Sequence, residues 1–70
     1  MQRTVIIIPT YNEIENIHLI IQAISELPKA FDILIIDDNS PDGTALKVKE
    51  IQKSNSHLHL HLGSADLLFP

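Results

Sequence analysis

Cysteine is absent from the 70 residues, so neither a disulfide nor a thiolate-held metal can staple the fold. An excess of positive charge is absent too. Five Lys and Arg against nine Asp and Glu give a formal charge of −4 and a pI near 5.3, which leaves no basic patch for nucleic acid. A nucleic-acid partner is therefore not expected. No apolar run approaches the roughly 20 residues of a membrane span. Arg3 is followed at once by a strand pattern, so neither a signal peptide nor a transmembrane helix is expected. Length imposes its own limit, because a single core in so short a chain rarely contributes more than about 3–5 kcal/mol without staples. What remains is a globular composition, 44% hydrophobic and 20% charged, sufficient for one small folded unit.

The chain is organised around residues 33–44, ILIIDDNSPDGT. Four apolar residues bounded by carboxylates suit a strand buried on both faces, and the polarity switch at Asp37 marks its carboxyl end. In open α/β sheets ligands bind beyond those ends, which puts Asp37 and Asp38 where a site is expected. Asn39, Ser40, Pro41, Asp42 and Gly43 supply turn chemistry before the next helix. A second strand-to-loop unit, residues 5–13 (VIIIPTYNE), delivers its own loop to the same edge.

In chain order, residues 3–8 read as the first strand, with β-branched residues from Val5 to Ile8, and Pro9 is expected to end ladder pairing. Asn12, with Glu15 three positions on, reads as a helix N-cap. Ile14, Ile17, Ile20, Ile21, Ile24 and Leu27 then recur along one helical face until Pro28 closes the helix. After the strand at 33–36, Ala45, Val48 and Ile51 keep helical spacing, with Lys47, Lys49, Glu50 and Lys53 on the other side. Residues 57–62, HLHLHL, alternate strictly and predict a third strand at a sheet edge, leucines on one face and histidines on the other.

The order β-α-β-α-β with short connections predicts an α/β fold with a parallel sheet. Strands added successively place both helices on one face and leave the other bare, although the first two strands are apolar throughout. The expectation is therefore an incomplete domain. Residues 1–62 are expected to form the amino-terminal half of a larger α/β unit, and 63–70 a divergent tail too short to cover the open face.

IIIPTYNE, an amphipathic helix and ILIIDDNSPDGTA, in that order, closely resemble the start of the GT-A-fold glycosyltransferases of family 2. DDNSPDGT together with PTYNE is most similar to the dolichyl- or polyprenyl-phosphate mannosyltransferases, which transfer mannose from GDP-mannose to a lipid phosphate. The resemblance runs from about Thr4 to Lys53. It implies a Rossmann-like nucleotide-sugar-binding domain in which Pro9 and Tyr11 line the base or ribose and Glu13 accepts from ribose hydroxyls. Ile36 packs by the base and Asp38 accepts from base N–H groups. It implies Mg²⁺ or Mn²⁺ held by an Asp-any-Asp motif that Ala65-Asp66 does not reproduce. A transferase is therefore implied by family, with these 70 residues alone expected to be inactive and no catalytic or metal-ligating residue assigned among them. Membrane association is implied by family only, so the setting is cytoplasmic or peripheral at the cytosolic face of a membrane.

Each residue also has a structural reading. Glu13 and Glu15 can complement a helix macrodipole, Tyr11 can be a packing residue, and Ser40 and Asp42 suit turns and caps. Asp37 either meets ligand or orients the loop. A carboxylate at Asp38 suits two guanine N–H donors but equally the N3–H of uracil, so GDP and UDP both stay open. His57, His59 and His61 point the same way along a strand, which permits zinc chelation but fits better the solvated face of an edge strand. Two further functions compete with the transferase. One is a nucleotide-binding module without activity; the other is a receiver-like signalling domain whose paired acids bind Mg²⁺, which has no need of the PTYNE loop.

Overall fold

The computed structural model describes residues 4–63. Its elements alternate as β1 (Thr4–Thr10), α1 (Ile17–Ser25), β2 (Phe31–Asp37), α2 (Thr44–Gln52) and β3 (Leu58–Leu62). The strands form one parallel sheet in the order β1-β2-β3, as the alternation predicts, with β3 at an edge of the described sheet. Arg3, the expected first residue of β1, and the tail beyond Gly63 with Ala65 and Asp66 lie outside the described residues.

Register explains the core. Ile6, Ile33 and Leu58 stand side by side, as do Ile8, Ile35 and Leu60, and strand alternation sends both rows to one face. There Ile33, Ile35 and Leu58 close on Ile17 and Ile21 of α1 and Val48 of α2, with Ile8, Ile24, Ile51 and Leu60 around them. Burying each such side chain contributes about 1.5–3 kcal/mol before the cost of ordering the chain. Both helices thus share one face. The opposite face carries Val5 and Ile7 of β1, Leu34 and Ile36 of β2, and His59 and His61 of β3. It is open at β1, where Val5 is 50% and Ile7 44% exposed, and closed at Ile36, which is 1% exposed.

Several boundaries differ from the sequence expectation: β2 begins two residues early, at Phe31, and reaches Asp37, and β3 begins at Leu58 rather than His57. β1 runs through Pro9 to Thr10, because Thr10 turns its carbonyl to β2 and accepts the Asp38 N–H at 3.0 Å. Pro9, one residue out of step, turns its missing donor to the outer edge, where no ladder bond is lost. α1 starts at Ile17 rather than after Asn12, since the Glu13 carbonyl first accepts from Asn16 and Ile17 in a separate turn. Asn12 adopts the left-handed conformation (φ 55°) and is not an N-cap, and Asn16, which takes that position, makes no side-chain cap bond. α1 also ends at Ser25, leaving Leu27 beyond it and half exposed.

Candidate functional site

Thr10 and Asp37 close β1 and β2 side by side at the carboxyl edge. Asp37 is fully buried, a position a carboxylate holds only when donors meet it. Three do. The Thr10 hydroxyl donates to Oδ1 at 2.8 Å, the Ser40 hydroxyl to Oδ1 at 2.6 Å and the Ser40 N–H to Oδ2 at 3.0 Å. Its carbonyl accepts the Gly63 N–H at 2.9 Å. Of the two roles open to it, Asp37 takes the loop-orienting one.

The two loops are sewn together through side chains of the second. The Asn12 N–H donates to Ser40 Oγ at 2.9 Å, the Glu13 N–H to Thr44 Oγ1 at 3.0 Å and the Ile14 N–H to Asp42 Oδ2 at 3.2 Å. Thr44, itself fully buried, gives its hydroxyl proton and its N–H to Asp42 Oδ1. Asn39 and Gly43 take left-handed backbone (φ 58° and 93°), and a Cβ at Gly43 would sit 3.4 Å from Ile14 Cδ1, so the loops approach closely there. Ser40 and Asp42 are thus turn residues that bind the two loops together, while the N-cap of α2 is Gly43, without a side-chain cap bond.

Asp42 is exposed, and the hydrogen bond from the Thr44 hydroxyl, aided by the Ile14 and Thr44 N–H groups, holds its carboxyl below the ordinary 3.8. A carboxyl depressed by folding adds stability above its unfolded pKa, and that stability is lost as pH falls through the folded value. Urea midpoints measured downward from pH 5 should therefore decline less steeply below about pH 4 in Asp42→Asn than in the parent. Solvent exposure keeps the difference small.

The expected ligand residues divide by exposure. Pro9 and Ile36 are register partners on the helix-free face. Tyr11, 57% exposed, and Asp38, also exposed, follow them onto the two loops, and the Asp38–Thr10 main-chain bond ties their bases together. Ile36 presents no open surface and can only support its neighbours. Glu13 is half-buried, and its carboxylate accepts from the Asn16 amide at 3.4 Å. Sequence reasoning passed over Thr10 and Thr44, whose signal was a hydroxyl at the strand end and the alternation Ser40, Asp42, Thr44.

Elsewhere, a cleft of about 380 Å³ opens at the other end of the sheet, between Ile24, Leu27, Phe31, Lys29, Asn55 and His57. It is remote from the loops that carry Tyr11 and Asp38. His57 Nδ1 lies 3.2 Å and His59 Nε2 3.9 Å from Asp32 Oδ1, so the exposed histidines of this edge meet a carboxylate of β2. His61 continues the row of Pro9 and Ile36, and its buried Nε2 has no hydrogen-bond partner among the described residues. No group of three His, Asp or Glu among the described residues is placed to hold a metal ion.

Comparison with known proteins identifies the family. The sequence model of the family described as Glycosyl transferase family 2 matches residues 5–62. The chain is 48% identical over 50 residues to a polyprenol monophosphomannose synthase of Mycolicibacterium smegmatis, covering 71% of this chain and 19% of that protein. It is 48% identical over 42 residues to an undecaprenyl-phosphate mannosyltransferase of Micrococcus luteus, covering 60% and 17%. Against an undecaprenyl-phosphate 4-deoxy-4-formamido-L-arabinose transferase of Salmonella choleraesuis it is 40% identical over 63 residues, covering 83% and 19%. The chain thus spans less than a fifth of the length of these relatives. No solved structure gives a significant match.

Proposed function

The chain belongs to glycosyl transferase family 2, and from that premise we propose that it is the nucleotide-binding part of an enzyme moving mannose from GDP-mannose to a polyprenyl or dolichyl phosphate. The observation that carries this reading is the carboxyl edge itself: two loops fixed by side-chain hydrogen bonds, with Tyr11 and Asp38 left exposed on them. A sugar nucleotide asks for a flat platform and for acceptors facing its base and ribose. Tyr11 and Pro9 supply the platform, with Ile36 behind them. Asp38 accepts from the base N–H groups and Glu13 from the ribose hydroxyls.

The acceptor's phosphate oxygen attacks the sugar and the nucleoside diphosphate leaves. That oxygen is already anionic, so no general base is needed from these residues. The countercharge for the diphosphate is Mg²⁺ or Mn²⁺ in this proposal, acting as a Lewis acid; no group of three His, Asp or Glu among the described residues would hold it. Nucleotide binding without turnover is therefore the proposed property of the 70 residues. The setting proposed is cytoplasmic or at the cytosolic face of a membrane; no helix among the described residues is long and apolar enough to cross one.

The 83% coverage in the match to the formamido-arabinose transferase favours a second reading, in which the acceptor class is kept and the donor sugar differs. Titration of the chain with GDP and with UDP in Mg²⁺ buffer separates the possibilities. Tighter binding of GDP supports the mannose donor, tighter UDP binding supports the second reading, and binding of neither overturns both for this chain. Mannose transfer by the 70 residues would contradict the absence of turnover.

A further inference from the structure

We infer that Ser40, Asp42 and Thr44 are positioning residues for the nucleotide site, holding the first loop so that Tyr11 and Glu13 stand correctly against Asp38; this rests on the nucleotide-binding reading above. The first loop is poor in packing of its own, since Tyr11 and Asn12 are exposed and Glu13 only half-buried. Its left-handed residue, Asn12, heads a run of three main-chain N–H groups, a geometry that elsewhere makes a concavity for anions.

Here all three donors are taken. The Asn12 N–H reaches Ser40 Oγ, whose proton goes to Asp37. The Glu13 N–H reaches Thr44 Oγ1, whose proton goes to Asp42, and the Ile14 N–H reaches Asp42 directly. Two N–H to O–H to carboxylate relays result, in which each bond polarises the next. The amides of residues 12–14 are consequently not offered to the diphosphate. Their partners lie 28, 31 and 28 residues away in sequence, so these bonds fix one loop against the other rather than shaping either alone. A nucleotide held from both loops would feel any slackening as lost preorganisation.

Thr44→Val removes the acceptor at nearly constant volume, and Thr44→Ser keeps it. Amide hydrogen exchange at residues 12–14 reads the clamp, and GDP and UDP titrations read its consequence. Thr44→Val should speed exchange at Glu13 about tenfold and weaken the nucleotide bound by the parent chain about tenfold, with Thr44→Ser close to the parent. Asp42→Ala, at an exposed position, should do the same through Ile14 and decides the matter if the valine variant does not fold. Faster exchange with unchanged affinity in a folded variant overturns the inference while leaving nucleotide binding intact. A parent chain that binds neither nucleotide removes the nucleotide-binding reading and this inference with it.

Discussion

Asp37→Ala is expected to leave the chain without a cooperative fold at room temperature. The carboxylate is fully buried and takes three hydrogen bonds from Thr10 and Ser40. Alanine keeps none of them; of the donors left behind, the Thr10 hydroxyl is buried and those of Ser40 are half-buried. An unsatisfied buried group costs about 1–3 kcal/mol. Two such groups already match the roughly 3–5 kcal/mol available to a chain of this length. Asp37→Asn should be milder, since its carbonyl still accepts on one side while its amide opposes a donor on the other. Urea titrations followed by circular dichroism check the order parent, asparagine, alanine. An alanine variant that unfolds at the parent's urea midpoint would show that the buried carboxylate is not what joins the two strand ends.

The reason Asp37 and Asp38 can be adjacent and yet differ so far is strand alternation. The side chain at 37 joins the row of Ile33 and Ile35 on the helix side, and the next residue turns the other way as the strand ends. From sequence, the pair read as two carboxylates at a strand end, one of them with an open role. Which is buried depends on register and on the Thr10 hydroxyl arriving from β1, a contact 27 residues long.

The same limit explains the rest of what the sequence showed and hid. Strand order, helix side and the Leu/His division of β3 follow from period and connection length, and all three were legible. The start of α1 was not, because Asn12 and Glu15 have the spacing of a cap while the main chain at Asn12 is left-handed and its N–H is claimed by Ser40. Pro9 was misread for a related reason. Proline breaks a ladder only where its nitrogen, which carries no hydrogen, faces a neighbouring strand, and the side it faces depends on which strand lies next to it. Ser40, Asp42 and Thr44 were visible as turn formers, but their joint hold on three successive amides requires the other loop in place.

Asp38→Ala should give the opposite result to its neighbour: an unchanged fold and lost nucleotide binding. Its side chain is exposed, and its structural bond is made by the main chain, from the Asp38 N–H to the Thr10 carbonyl, which alanine retains. Thermal and urea transitions should therefore stay within about 0.5 kcal/mol of the parent. In the proposed site the carboxylate accepts both N–H donors on the guanine edge, and hydrogen bonds to a charged group contribute about 1.5–3 kcal/mol. Losing the pair should weaken GDP binding by roughly 100-fold, and losing the one bond available from uracil should weaken UDP by roughly tenfold. The ratio of the two losses is thus a test of how the base is read as well as of whether it binds here. Equal losses for both nucleotides would place Asp38 near the ribose or diphosphate instead. No loss in a folded variant would remove it from the site, and Tyr11 and Glu13 alone would then have to hold the nucleotide against the loop.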